Sequence, residues 1–252
     1  MNTYENRIEQ LSELLNTHRN IVFFGGAGVS TESNIPDFRG SDGLYRRPNN
    51  SPWSAEDMLS HHFYEEHPKE FFDNYKLREG FMRDVKPNRA HYALASLEAQ
   101  GRLSAIVTQN IDGLHQRAGS KKVYELHGSV HRNYCTKCHA SFNIDRFIEL
   151  CTPIPHCPEC NGIIKPDVVL YEESLDNNVI MDAVDAIRNA DLLIIGGTSL
   201  VVYPAAGLIR EYRGQTLVLI NRDPTPSDKY ANLLFHESIG DVLEKSVAAL
   251  DK

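Results

Sequence analysis

Apolar and polar positions follow two rhythms along the chain. Tyr4, Ile8, Leu11 and Leu15 recur at helical spacing, so residues 3–17 predict an amphipathic helix that leads into the apolar run Ile21-Val22-Phe23-Phe24. That run is too short for a buried helix and stops at Gly25-Gly26, which makes it a strand. Similar runs follow at residues 105–107, 123–126, 168–170, 192–195 and 217–220, and helical stretches at 179–188, 205–212 and 241–250 separate several of them. Short strands that are apolar on both faces and alternate with helices predict a mostly parallel sheet in a doubly wound α/β fold. Ligands in such folds sit beyond the C-terminal strand ends, which directs attention to the loops after Phe24, Val107, Ile195 and Ile220.

Two stretches break the alternation. Residues 40–90 are rich in His, Pro, Asn and aromatic side chains and read as an irregular and helical insert. Residues 132–166 have few strong apolar runs and read as a small module whose core is too thin to stand without help.

Composition narrows the class. With 252 residues, 41 % hydrophobic and 24 % charged, the chain has room for one large α/β domain, alone or with a small insert. No apolar run approaches the roughly 20 residues of a bilayer span, so no membrane role is expected. Residues 1–20 lack the apolar core of a secretory signal, and a cytoplasmic address is expected. The 34 acidic against 26 basic residues leave a formal charge of -8, which opposes binding to nucleic-acid phosphates and suits a cationic partner such as a Lys-rich peptide.

The sharpest chemical signal is in the cysteines. Cys135-x-x-Cys138 and Cys157-x-x-Cys160, with 18 residues between the pairs, match the spacing of a tetrahedral four-thiolate zinc site. Four protein ligands close the coordination sphere, so the zinc is read as structural; Cys151 has no partner. Gly25-Gly26-Ala27-Gly28-Val29-Ser30-Thr31 after the first strand suits a backbone approach to a pyrophosphate, although the third glycine of a dinucleotide fingerprint is replaced by Thr31. The same glycines serve equally as a plain strand-to-helix turn. Thr108-Gln109-Asn110-Ile111-Asp112 carries amides and a carboxylate to a strand end, and Glu125-Leu126-His127-Gly128 places a candidate general base past another. Gly196-Gly197-Thr198-Ser199 forms a second small-residue corner after a strand.

In this order, with Ile35-Pro36-Asp37-Phe38-Arg39-Gly40 and Asn221, these segments resemble the sirtuin family of NAD-dependent protein-lysine deacylases, from about Ile21 to Asp241. The resemblance implies a Rossmann-like NAD-binding large domain (1–40, 88–131 and 167–252). A small domain would combine a helical insert (41–87) with a zinc-binding module (132–166). NAD would be a consumed co-substrate, and the products would be free lysine, nicotinamide and O-acyl-ADP-ribose. Ala27, Gly28 and Thr31 would line the phosphate and ribose region, with Asp37, Phe38 and Arg39 in the loop that closes over NAD. Gln109, Asn110, Ile111 and Asp112 would form the nicotinamide pocket. Gly197, Thr198, Ser199 and Asn221 would hold the adenosine half, with Ile239 as an adenine contact. His127 would be the general base, taking a proton from a ribose hydroxyl, and Asn110 would affect rate as well as binding. An acylated-lysine protein or peptide would add as a strand along Val168, Val169, Leu170 and Tyr171. Most relatives have Phe-Gly-Glu where this chain has Tyr171-Glu172-Glu173, and the acids there favour basic residues around the target lysine. A monomer is expected.

The acyl group is left open between two registers. Tyr75-Lys76-Leu77-Arg78 has the Tyr-x-x-Arg spacing by which some relatives pair with succinyl or malonyl carboxylates, whereas anchoring on Phe71-Phe72 puts the uncharged Phe72 and Tyr75 at those positions. The second register, and with it acetyl, is preferred. Transfer of ADP-ribose to a side chain, or hydrolysis of NAD, in the same pocket is the competing activity.

Overall fold

The five residues of the first strand, β1 (Ile21–Gly25), are all buried, and their side chains go alternately to two cores. Ile21 and Phe23 join one apolar cluster, Val22 and Phe24 the other. A strand buried on both faces must be sandwiched between helices, and the rest of the chain supplies them. The computed structural model describes residues 3–38, 43, 45 and 51–250, and within one helix the side chains of residues 77–81 lie outside that description.

In chain order the elements are α1 (Tyr4–Thr17), β1, α2 (His61–Glu66), α3 (Pro68–Met82), α4 (Arg89–Ala99), β2 (Leu103–Thr108), α5 (Leu114–Ala118) and β3 (Val123–Glu125). Next come β4 (Gly128–Cys135), β5 (Ser141–Asn143), α6 (Ile144–Leu150), β6 (Ile164–Val168), α7 (Asn177–Asn189), β7 (Leu192–Gly196), β8 (Thr216–Ile220), β9 (Leu233–Phe235) and α8 (Ile239–Ala248). A 3-10 helix, Ala27–Ser33, follows β1 directly, and another, Ala205–Glu211, follows β7.

Six strands form one sheet in the order β3-β2-β1-β7-β8-β9, with every pairing parallel. This is a Rossmann-like arrangement, in which the chain works outward from β1 in one direction and then resumes at β7 on its other side. α1, α4 and α8 cover one face, and α7 with the second 3-10 helix covers the other. The strand order therefore reverses between β1 and β7, and the crevice beyond their C-terminal ends is where such folds bind ligands.

A second sheet, β5-β4-β6, is antiparallel. The expected strand at 168–170 belongs here and not to the parallel sheet: β6 runs over Ile164–Val168, and Val169 and Leu170 lie past its end. Pro166 sits within β6, which its edge position permits because a proline cannot donate to a ladder. The expected helix at 205–212 is the 3-10 helix Ala205–Glu211. Gly207 in its middle costs an α-helix about 1 kcal/mol relative to alanine.

One aromatic cluster joins the cysteine module to the insert: Phe63, Phe71, Phe72 and Tyr75 pack with Cys135, Phe147, Cys151 and Cys157. The two irregular stretches of the sequence thus share a single core. No helix among the described residues is long and apolar enough to cross a membrane.

Candidate active site

At the point where strand order reverses, two glycine turns meet backbone to backbone. The Gly28 amide donates to the Gly197 carbonyl at 2.8 Å, and the Gly26 amide to the Gly196 carbonyl at 3.2 Å. A Cβ on Gly28 would lie 2.7 Å from the Gly197 Cα. Gly197 has a φ of +59°, and a Cβ there would lie 2.3 Å from the Val29 nitrogen. These contacts leave no room for side chains, and they place the start of the 3-10 helix Ala27–Ser33 beside the turn after β7. The cradle fits a dinucleotide pyrophosphate, which needs bare backbone at close range. Gly197→Ala is expected to cost more than about 2 kcal/mol through left-handed strain and overlap, and to weaken NAD binding. Thermal melting and calorimetric titration with NAD check both effects.

The loop after β2 lies beside this crossing. Gln109 donates its backbone N–H to the Gly25 carbonyl at 3.0 Å and its side-chain amide to Thr198 Oγ1 at 3.3 Å, tying the β1, β2 and β7 ends together. Asn110 is buried, and its Nδ2 donates to Ser30 Oγ at 3.1 Å. Ser30 in turn donates to Asp112 Oδ2 at 2.7 Å, while Asp112 Oδ1 accepts the Leu114 amide at 2.9 Å. The buried Asp112 carboxylate is therefore held on both oxygens, and Ser30 fixes Asn110 and Asp112 relative to each other. Ile111 is half-buried between them.

His127 closes the group from the next crossover. Its Nδ1–H donates to the Gln109 carbonyl at 2.9 Å. A carbonyl can only accept, so that nitrogen carries the proton and Nε2 keeps its lone pair. Burial pushes the imidazole pKa below its ordinary 6.5, with the bond to Gln109 opposing the shift. The result at neutral pH is an uncharged ring with one basic nitrogen. Gly128, next in the chain, has a φ of +76°, and a Cβ there would lie 1.9 Å from the Asp167 carbonyl oxygen. Only glycine lets β4 leave His127 this close to β6.

The remaining expected residues are spread along the same strand ends. Thr31 is half-buried, its hydroxyl donating to the Gly28 carbonyl at 3.0 Å. Asp37 and Phe38 are half-buried, with Phe38 packed on Tyr45 at 5.4 Å between ring centres; Arg39 lies outside the described residues. Thr198 is buried and Ser199 exposed. Asn221 follows β8, its amide donating to the Asp223 carbonyl at 2.7 Å. Ile239 opens α8 and is buried in the core, where a Cβ on Gly196 would lie 2.5 Å from its Cδ1.

The four cysteine sulfurs converge: all lie within 4.8 Å of one another. Cys135 and Cys160 are 3.4 Å apart and Cys138 and Cys157 3.7 Å, far from disulfide bonds and near the roughly 3.8 Å that about 2.3 Å Zn–S bonds impose on a tetrahedron. The Lys137 and Cys138 amides point at Cys135 Sγ from 3.4 and 3.5 Å. These donors, that of Cys138 foremost, lower the Cys135 thiol, while the Cys138 thiol, despite the Ala140 amide, is raised by its bonds to Cys160, Cys135 and Cys157, so the four sulfurs titrate as one set. The donor set fits zinc.

The sequence profile of the Sir2 family matches residues 26–204, which hold the glycine crossing, the Gln109–Asp112 loop, His127 and all four cysteines. The chain belongs to the Sir2 family. It is 58 % identical over 238 residues to the NAD-dependent protein deacetylase of Clostridium acetobutylicum, covering 94 % of this chain and 97 % of that one. It is 57 % identical over 244 residues to that of Clostridium perfringens, covering 96 % and 99 %. A solved Sir2–p53 peptide–NAD+ complex superposes with a TM-score of 0.85 at 38 % identity, covering 96 % of this chain and 98 % of that one. Sir2 bound to acetylated peptide gives 0.84 at 36 %, covering 96 % and 98 %.

In this Sir2 chain the stretch Val168–Tyr171 runs between the small sheet and the insert. The Val169 amide donates to the His127 carbonyl at 3.0 Å, and Tyr171 bridges to Ser60 on its other side. Two residues that the sequence did not single out for this purpose shape the stretch. The ammonium of the buried Lys165 donates to the Val168 carbonyl at 3.0 Å and to Glu173 Oε2 at 3.1 Å. Glu173 also accepts the Leu170 amide and His61 Nδ1, at 2.9 and 2.8 Å. Burial raises the Glu173 carboxyl, but the donors of Leu170, His61 and Lys165 outweigh it and leave its pKa below the ordinary carboxylate value. Ser30 was also missed, because its partners lie 80 and 82 residues away along the chain.

Proposed function

We propose that this chain removes acetyl groups from protein lysines and consumes one NAD and one water per turnover, giving the free lysine, nicotinamide and O-acetyl-ADP-ribose. The observation that carries the reading is the bond from His127 Nδ1 to the Gln109 carbonyl, which joins a neutral base to the loop proposed to hold nicotinamide. The crossed glycine turns would admit the pyrophosphate between Ala27, Gly28, Thr31 and Gly197. Thr198, Ser199 and Asn221 would hold the adenosine half, with Ile239 packed beneath them, and Asp37 and Phe38 would belong to the loop that closes over NAD. NAD, when bound, would supply a glycosidic bond at which the acyl oxygen of the substrate could displace nicotinamide from the ribose carbon. Asn110 and Asp112, fixed by Ser30, orient the groups at that bond. His127 accepts a ribose hydroxyl proton at Nε2, and its Nδ1–H stays on the Gln109 carbonyl throughout.

Cys135, Cys138, Cys157 and Cys160 would hold a structural zinc whose contribution is to folding, with no step of the reaction passing through it. Free thiolates held for a metal fit a reducing compartment, and we read the address as cytoplasmic. The division of labour follows the two sheets. A large domain (1–40, 88–131 and 167–252) binds NAD, and a small one (41–87 with 132–166) helps to receive the peptide along Val168, Val169, Leu170 and Tyr171. We read the active unit as a monomer.

Acetyl is preferred over succinyl because Phe72 and Tyr75 are buried among Phe71 and Phe147, with Tyr75 at 5 % exposure. The side chain of Arg78, which the charged register needs, lies outside the description. A panel of acetyl, longer acyl and succinyl peptides, each incubated with NAD and read by mass spectrometry, tests this. Acetyl is expected to be removed fastest, and faster removal of succinyl would reverse the register.

A further inference from the structure

Strand β4 does not pair continuously with β6. Gly128 opposes Val168 and Ser129 opposes Asp167, but the next pair is Asn133 with Pro166. Four steps along β4 correspond to one along β6, so residues 130–132 are extra on the β6 side and bulge from that ladder, while Arg132 still opposes Asn143 of β5. Bulges free backbone and side-chain groups to be re-aimed and recur beside active sites.

Each of the three residues makes a tie outside the ladder. The Val130 amide donates to the Ile111 carbonyl at 3.0 Å. His131 Nε2–H donates to the Asp112 carbonyl at 2.9 Å. Arg132 spans two segments: Nη1 donates to Glu125 Oε2 at 2.6 Å and Nε to Asp167 Oδ2 at 2.7 Å. Glu125 precedes His127 by two residues, and its side chain is 8 % exposed. Asp167 immediately precedes Val168. One short bulge thus grips the nicotinamide-side loop, the end of the strand that leads to the base, and the start of the peptide stretch.

We propose that the 130–132 bulge is a positioning element for deacylation, and that Arg132 is a positioning residue setting the separation between the His127 segment and the peptide strand. The proposal rests on the reading of His127 as base and 168–171 as peptide strand. Arg132 acts through its fork of donors: a guanidinium reaches two carboxylates in fixed geometry, whereas a lysine ammonium offers a single point charge. At the Asp167 arm the role is geometric more than stabilising, whereas the Glu125 arm also keeps a buried carboxylate paired. The Arg132 and Asp167 side chains are 54 % and 40 % exposed, and ion pairs at such exposure contribute little to folding.

The test is steady-state kinetics on an acetyl-lysine peptide with NAD for the wild-type protein, Asp167→Asn, Arg132→Lys and Arg132→Met. Melting and ADP-ribose calorimetry accompany each. Arg132→Met strands the buried Glu125 carboxylate and carries a folding risk, whereas Asp167→Asn leaves an acceptor oxygen and removes only the charge of the exposed arm, replacing an ion pair by a weaker neutral hydrogen bond. The expected result is a fall in kcat/KM for peptide on the order of tenfold in Asp167→Asn and more in Arg132→Met, with ADP-ribose affinity within about twofold of wild type. Arg132→Lys should restore part of the loss, and adding Asp167→Asn to Arg132→Met should cost nothing more. Wild-type peptide kinetics in Asp167→Asn, or an equal loss of ADP-ribose affinity, would overturn the proposal. A wild-type protein that leaves the peptide acetylated would overturn the functional reading itself and the proposal with it.

Discussion

Replacing His127 with alanine is expected to lower turnover by on the order of 10²–10⁴ while leaving NAD affinity nearly unchanged. The imidazole supplies a proton acceptor at Nε2 and holds no part of the glycine cradle, so its loss falls on kcat and not on cofactor binding. The pH dependence follows from the same ring. A base acts only when unprotonated, and burial keeps this one below the ordinary 6.5. The wild-type rate should therefore be level through neutral pH and decline as pH falls below 6.5 toward the lowered value in the folded protein. Whatever rate His127→Ala retains should lack that acid limb. Steady-state kinetics across pH, with calorimetry of NAD binding, read both effects. Retained turnover with the limb unchanged would place the base elsewhere.

The second large effect concerns the metal. Cys157→Ala removes one of four sulfurs that converge within 4.8 Å and takes a buried member out of the aromatic cluster shared with α2 and α3. A structural zinc contributes its binding energy to folding, so the substitution is expected to cost at least about 3 kcal/mol, or roughly 6–12 °C in melting temperature for a chain of this size. Metal content should drop from one zinc per chain, and activity should fall in step with the folded fraction without a change in the shape of the pH profile. Slow extraction with a chelator should reproduce the variant. Elemental analysis beside melting curves checks this, and full zinc content in the variant would disprove the four-thiolate site.

The parts of this molecule that were legible in the sequence are those whose cause is local. Ile21-Val22-Phe23-Phe24 ending in Gly25-Gly26 announces a buried strand because length, apolarity and a glycine stop coincide. The cysteine pairs announce a metal site because spacing alone brings two sulfurs to one side of an ion. What stayed hidden depends on partners far along the chain. The run at 168–170 has the apolar look of a parallel strand, and nothing in three residues says that its neighbour will be β4 in antiparallel order. β9 has three residues and carries too little pattern to be seen. Ser30 looks like any hydroxyl after a glycine turn until the fold sets it between Asn110 and Asp112. Arg132 looks like a solvated charge until a bulge lets it reach Glu125 and Asp167 together.

The central claim is that loss of nicotinamide is coupled to an acylated lysine in one pocket. Its most direct test is to quantify nicotinamide released by the purified chain from NAD, with and without acetyl-lysine peptide. Negligible release is expected without peptide, and with it one nicotinamide and one O-acetyl-ADP-ribose for each lysine freed. Nicotinamide released at the same rate without peptide would contradict that claim.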